Sequence, residues 1–143
     1  MSLPTKFRDR LSCFVRAVIG SRIIRVQGNS MVPLAQDGDF ILSRPLTWLD
    51  KIQVGDVVVF RHPDLGFILK AVSLIEAGSV KLEGLAALSS NSEYFGLVQT
   101  RDIKILAVAV VPKNINFSWR CKRFELIRRS RIRSLLETSE TLH

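Results

Sequence analysis

The sequence predicts a mostly β protein: a coiled or partly closed antiparallel β body of about six short strands, flanked by short N-terminal and C-terminal amphipathic helices. Three observations predict it. Between Arg22 and Val111 the apolar residues fall in short runs rich in Val, Ile, Leu and Phe, separated by turn residues. A chain of 143 residues suits one domain, which buries roughly two thirds of its unfolded surface. With two cysteines, Cys13 and Cys121, and two histidines, His62 and His143, the chain has neither a disulfide framework nor enough soft ligands for a structural zinc site. An apolar core must therefore hold the fold.

Residues 5–19 place Phe7, Leu11, Phe14, Val15, Val18 and Ile19 at helical spacing. They define a short amphipathic helix, which either packs on the body or lies on a membrane surface. From Arg22 the period becomes that of strands, expected at Ile23–Val26, Phe40–Leu42, Val57–Phe60, Phe67–Leu74, Val80–Leu82 and Ile103–Val111. Asp37-Gly38-Asp39, Gly55-Asp56, His62-Pro63-Asp64 and Ala77-Gly78 punctuate them. A body so built coils or closes to limit its exposed edges. After Pro112 the stretch Trp119–Leu136 alternates Phe124, Leu126, Ile127, Ile132, Leu135 and Leu136 with seven arginines and lysines, which predicts a basic amphipathic helix. The last residues, from Glu137, read as frayed. The organisation expected is thus a helix over 1–20, a body over 21–112, and a basic helix and tail over 113–143.

The formal net charge of +8 is unevenly spread. Residues 1–20 carry +3 and residues 113–143 carry +5, while the nine bases and nine acids of 21–112 cancel. A neutral body with basic ends fits work on an uncharged target, with ends able to meet anionic lipid, nucleic acid or an acidic partner. No run approaches the roughly twenty apolar residues that span a bilayer. Leu11–Ile19 is interrupted by Arg16 and is not followed by a small-residue cleavage site, so no secretory signal is expected. The expected location is cytoplasmic, or peripheral to the inner face of the membrane.

Gly28-Asn29-Ser30-Met31-Val32-Pro33 follows the first strand. By composition it is a turn, and it is also a place to present a serine nucleophile. Some forty residues on, Lys70 sits in Phe67-Ile68-Leu69-Lys70-Ala71-Val72-Ser73-Leu74. With a period of two it shares its face with Ile68, Val72 and Leu74, and either face of that strand is apolar. Lys81, beside Glu83, reads instead as a solvent-facing lysine. A lysine among apolar side chains loses its proton more readily and becomes a base able to activate a serine without histidine. The plainer alternative is a lysine that snorkels to the rim of the sheet. His62-Pro63-Asp64 reads as a turn at a strand end.

Taken together these residues resemble the serine peptidases that include type I signal peptidases and self-cleaving SOS-type repressors. Gly28–Pro33 resembles their nucleophile box, Gly38-Asp39 and Gly55-Asp56-Val57-Val58-Val59-Phe60 their two Gly-Asp elements, and Lys70 falls where the general base belongs. Ser89-Ser90-Asn91-Ser92-Glu93-Tyr94-Phe95-Gly96 resembles the late box, and Ile103–Val111 the strand after it. The resemblance implies Ser30 as nucleophile, Lys70 as general base, Ser89 as the hydroxyl orienting the lysine amine, the Ser30 N–H as an oxyanion donor, and Met31 as a lining of the pocket beside the scissile bond. It implies neither metal nor cofactor.

Departures from the family pattern fall outside the dyad. Gly28 has no hydroxyl to serve as a second oxyanion donor. Asn91 and Glu93 stand where an Asp and an Arg commonly pair, Gly84-Leu85-Ala86 stands for Gly-Asp-Asn, and Ala71 replaces an arginine that often follows the base. Only 29 residues precede Ser30, too few for a helix-turn-helix domain, and no anchor lies among them. The expectation is a compact signal-peptidase-like maturation protease acting on a protein or peptide precursor. The alternative is a non-catalytic or degenerate module that binds anionic membrane or nucleic acid through its basic tail; for the peptidase itself, peripheral contact of the basic ends with anionic membrane is expected and nucleic acid is not.

Overall fold

A computed structural model describes residues 20–64, 66–86, 96–113 and 125–141. Within them eight strands form one antiparallel sheet: β1 (Arg22–Arg25), β2 (Phe40–Pro45), β3 (Val57–His62), β4 (Gly66–Glu76), β5 (Ser79–Glu83), β6 (Leu97–Gln99), β7 (Ile105–Val111) and β8 (Glu125–Leu126). The mostly β expectation holds. The order β1-β2-β7-β3-β4-β5-β6 leaves the sheet open, with β1 and β6 at its edges. Register shifts in β2 after Leu42 and in β4 after Val72 bend the strands that carry them.

Both faces of the middle strands are buried, which explains the unbroken apolar run Val57-Val58-Val59. Val57 and Ala71 pack with Met31, Leu34, Ile41 and Leu85 in one cluster. Their neighbours Val58 and Val72 turn to a second cluster with Val80, Leu82, Val98 and Ile103. Strand alternation thus divides each pair between two cores.

Strand β7 has an uncommon set of neighbours. One edge pairs with β2 along its length, from Phe40↔Val111 to Pro45↔Ile105. The other edge is shared: β3 takes its start at Val58↔Leu106 and Val59↔Ile105, and β8 takes its end at Ala109↔Leu126 and Val110↔Glu125. The sheet forks at the middle of β7.

Three details differ from the sequence expectation. Strand β6 is only three residues long, too short to show a period, and exists by pairing with Ser79–Lys81 of β5. The strand expected from Ile103 starts at Ile105, after a 3-10 turn at Thr100–Asp102. The helix expected over Trp119–Leu136 is found at Arg129–Thr141, here α1, because Glu125 and Leu126 are taken by β7. Its polar end does not fray before Thr141: the hydroxyls of Ser134, Thr138 and Thr141 donate to carbonyls three or four residues back. Residues 5–19 and 119–124, with Cys13, Cys121 and Trp119, lie outside the described residues.

Helix α1 docks on the body rather than standing off it. Ile132 and Leu136, one turn apart, enter the cluster that holds Met31 and Ala71. Arg129 pairs with Asp56, and Arg133 Nε donates to the Val54 carbonyl at 2.9 Å. Gly55 permits this approach twice over: its φ is +93°, and a Cβ there would meet the Arg129 carbonyl oxygen at 2.6 Å. Gly55→Ala is expected to destabilise the protein by about 2 kcal/mol or more, read by urea unfolding, because strain and clash add. Gly78→Ala, with positive φ but open space around it, should cost about half as much.

Candidate active site

The connection from β1 to β2 is clamped at its base. Val26 N–H donates to the Asp39 carbonyl at 2.7 Å, and Gly38 N–H returns to the Val26 carbonyl at 3.0 Å. Two side chains lace its interior: the Asp37 carboxylate accepts the Gly28 N–H at 2.8 Å, and the Asn29 side-chain oxygen accepts the Asp37 N–H at 3.0 Å. Asp39 accepts the N–H groups of Gln36 and of Lys113, tying the loop to the end of β7. Beneath, Met31, Leu34 and Ala35 are buried. Gly28 is glycine for a backbone reason, with φ at +82°.

Ser30 rides on this anchored loop. Its carbonyl accepts two N–H groups, from Leu85 at 2.8 Å and Ala86 at 3.0 Å. That bond pair joins the serine to the segment that leads from β5 toward Ser89 and Asn91. Those two residues lie outside the described residues.

Ser30 opens on a groove of about 460 Å³. Its walls come from β1 (Ile24, Arg25), the loop (Val26, Gln27, Met31), Ile41, Val59 and the start of β4 (Phe67, Ile68, Leu69). Its lining is apolar except at Arg25, Gln27 and Ser30, and it includes two residues of β1, which among the described residues pairs with β2 alone. An extended peptide would find there both backbone hydrogen-bonding groups and apolar walls.

Lys70 is 4% exposed. It pairs with Val58 across β3 and β4. Along its own face, Ile68 lines the groove with Ser30, and Val72 is fully buried. Lys70 itself is not among the residues that line the groove: its cross-strand partner Val58 and its face-mate Val72 both belong to the second core. Burial penalises the ammonium and pushes its pKa below the ordinary lysine value. Lys81 behaves as expected of a surface lysine, pairing with Glu83 at 2.7 Å.

Several supports were not readable as such in the sequence. Asp37, Asn29 and Asp39 look like ordinary loop residues, yet they lace the serine loop. Arg44 makes a two-pronged pair with Asp50 at 2.7 Å and 2.7 Å, which, with Thr47, closes the turn that displays Trp48. Arg44 holds the Asp50 carboxyl well below the usual carboxylate range. His62 accepts the Asp64 N–H through Nδ1 at 3.2 Å within the β3–β4 turn, away from the Ser30 groove. Among the described residues no three of His, Cys, Asp or Glu gather as a metal site, and no helix is long and apolar enough to cross a membrane.

An antiparallel body that presents a serine on a laced loop above an apolar groove, with a buried lysine on a strand lining that groove, has the architecture of a serine-peptidase-type fold. The sequence model of the Peptidase S24-like family matches residues 13–110, and the chain belongs to that family. Its members are mostly serine peptidases. No curated protein and no solved structure matches the chain.

Proposed function

We propose that the chain is a serine endopeptidase of signal-peptidase type, cleaving a precursor protein after a small residue. The observation that carries the reading is Lys70, 4% exposed on the strand whose Ile68 borders the same groove as Ser30. A neutral Lys70 amine takes the proton of Ser30 as its Oγ bonds to the scissile carbonyl carbon. The oxyanion so formed accepts a hydrogen bond from the Ser30 N–H. The protonated lysine then gives its proton to the departing amine, leaving an acyl-enzyme. Lys70, oriented by Ser89, next deprotonates the water that releases the acyl group.

Mass spectrometry of candidate precursors incubated with the wild type and with Ser30→Ala tests the reading. A new N-terminus after a small residue is expected with the wild type only; the same product from both proteins would reject it.

A second reading is a non-catalytic or degenerate module that docks on anionic membrane. Its support is the +5 charge of residues 113–143. Against it, Arg129 and Arg133 are engaged on the body, which lessens the charge α1 offers a lipid surface. Sedimentation with phosphatidylglycerol vesicles separates the readings: binding that persists at physiological salt supports the membrane module, and binding lost there supports the peptidase reading.

A further inference from the structure

We propose that Arg129, beyond the stretch that matches the family, is a positioning residue for Lys70, acting through Asp56 and the backbone of β4. The inference rests on the proposed role of Lys70 as base only for its kinetic consequence.

The connection is made of hydrogen bonds between neighbours. Arg129 donates to Asp56 from Nε to Oδ1 and from Nη2 to Oδ2, the latter at 3.3 Å. The Asp56 side chain is 7% exposed, and its Oδ2 also accepts the Gln53 N–H at 2.8 Å. That bond closes the turn which leads into β3. The same turn holds β4: the Asp56 carbonyl accepts the Val72 N–H at 2.8 Å, and the Gly55 N–H donates to the Val72 carbonyl at 2.9 Å. Val72 lies two residues beyond Lys70, where β4 bulges in its pairing with β5. At a bulge the ladder to one neighbour is disrupted, so the two bonds from Gly55 and Asp56 fix the path of β4 there.

A buried carboxylate without its cation draws in water or turns outward. Either response moves the turn, and with it Val72. Helix α1 also covers this region directly, packing against β4, with Ile132 beside Ala71 in one cluster. Arg129 thereby holds Asp56, while Ile132 of the same helix covers the strand. Charged and titratable groups on the elements packed against β4 are Asp56 ahead of β3, Arg61 and His62 on β3, Lys81 and Glu83 on β5, and Arg129, Arg131, Arg133, Glu137 and Glu140 on α1.

The consequence concerns where Lys70 titrates. Loosening β4 admits water, which restores hydration to the ammonium and raises the lysine pKa toward its ordinary value. Arg129→Gln is therefore expected to lower kcat ten- to hundredfold at neutral pH with KM within about twofold. The ascending limb of its pH profile should move to higher pH. Arg133→Gln, which removes a more exposed tie of the same helix without touching Asp56, should leave the limb in place.

The side-chain resonances of Lys70, assigned by their loss in Lys70→Met, are titrated by NMR in full-length wild type, Arg129→Gln, Arg129→Lys and Asp56→Asn. Arg129→Gln and Asp56→Asn should titrate at higher pH than wild type, and Arg129→Lys between them. A Lys70 midpoint unchanged in folded Arg129→Gln overturns the proposal. Should Arg129→Gln not fold, an unchanged midpoint in Arg129→Lys overturns it. A shifted midpoint in a protein that cuts no precursor retires the peptidase reading and keeps the positioning role.

Discussion

Replacing Ser30 with alanine lowers processing by about a thousandfold or more while the melting temperature stays within about a degree. The size follows from the chemistry, since a nucleophile shared with a base acts as one unit and its loss removes nearly all covalent catalysis. The stability follows from the loop. Ser30 is held through its carbonyl by Leu85 and Ala86, and its neighbours through Asp37 and Asn29, none of which uses Oγ. Precursor binding should accordingly survive, and a precursor captured uncut by Ser30→Ala would identify the substrate. A variant that keeps a tenth of wild-type turnover excludes Ser30 as the nucleophile.

Lys70→Met separates activity from stability with opposite signs. Turnover should fall by a factor similar to that of Ser30→Ala, because no base then takes the serine proton. Stability at pH 7 should rise, because methionine of similar length removes the desolvation that disfavours the buried ammonium. The sign with pH follows from the lowered pKa of the folded state. Between that value and the ordinary 10.5 the unfolded chain binds the lysine proton and the folded chain does not, so wild-type stability rises with pH across that window. Below the window the folded state must bear a charge in an apolar setting, and the advantage of methionine is largest. Above pH 10.5 both states are neutral and the advantage disappears. Urea unfolding of both proteins from pH 6 to 11 checks this; a constant difference would mean that Lys70 is hydrated in the folded protein.

The strands and the dyad candidates were legible because they depend on local pattern. Val57–Phe60 and Phe67–Leu74 announce themselves by composition, and Lys70 by its apolar flanking residues Ile68, Leu69, Ala71 and Val72. What escaped depends on partners distant in sequence. Strand β8 is two residues that become a strand only because the second half of β7 has an open edge. The start of α1 moved ten residues for the same reason. Asp56 reads as half of a turn, and nothing near it in the sequence reveals that its carboxylate meets an arginine 73 residues later. Gly28 was legible as a missing hydroxyl, whereas its positive φ and its bond to Asp37 appear only in the folded loop.

The fork in β7 bears on how this protein can be divided. The family-matching stretch ends at residue 110, beside the register pair Val110↔Glu125. A chain cut there would leave Ala109 and Val110 paired with β2 on one edge only, and would uncover Met31 and Ala71 where Ile132 and Leu136 had lain. Such an edge recruits strands from other molecules. Expressed by itself the stretch up to residue 110 should self-associate, and trimming the protein from its C-terminus should end in precipitation before it yields a smaller folded domain.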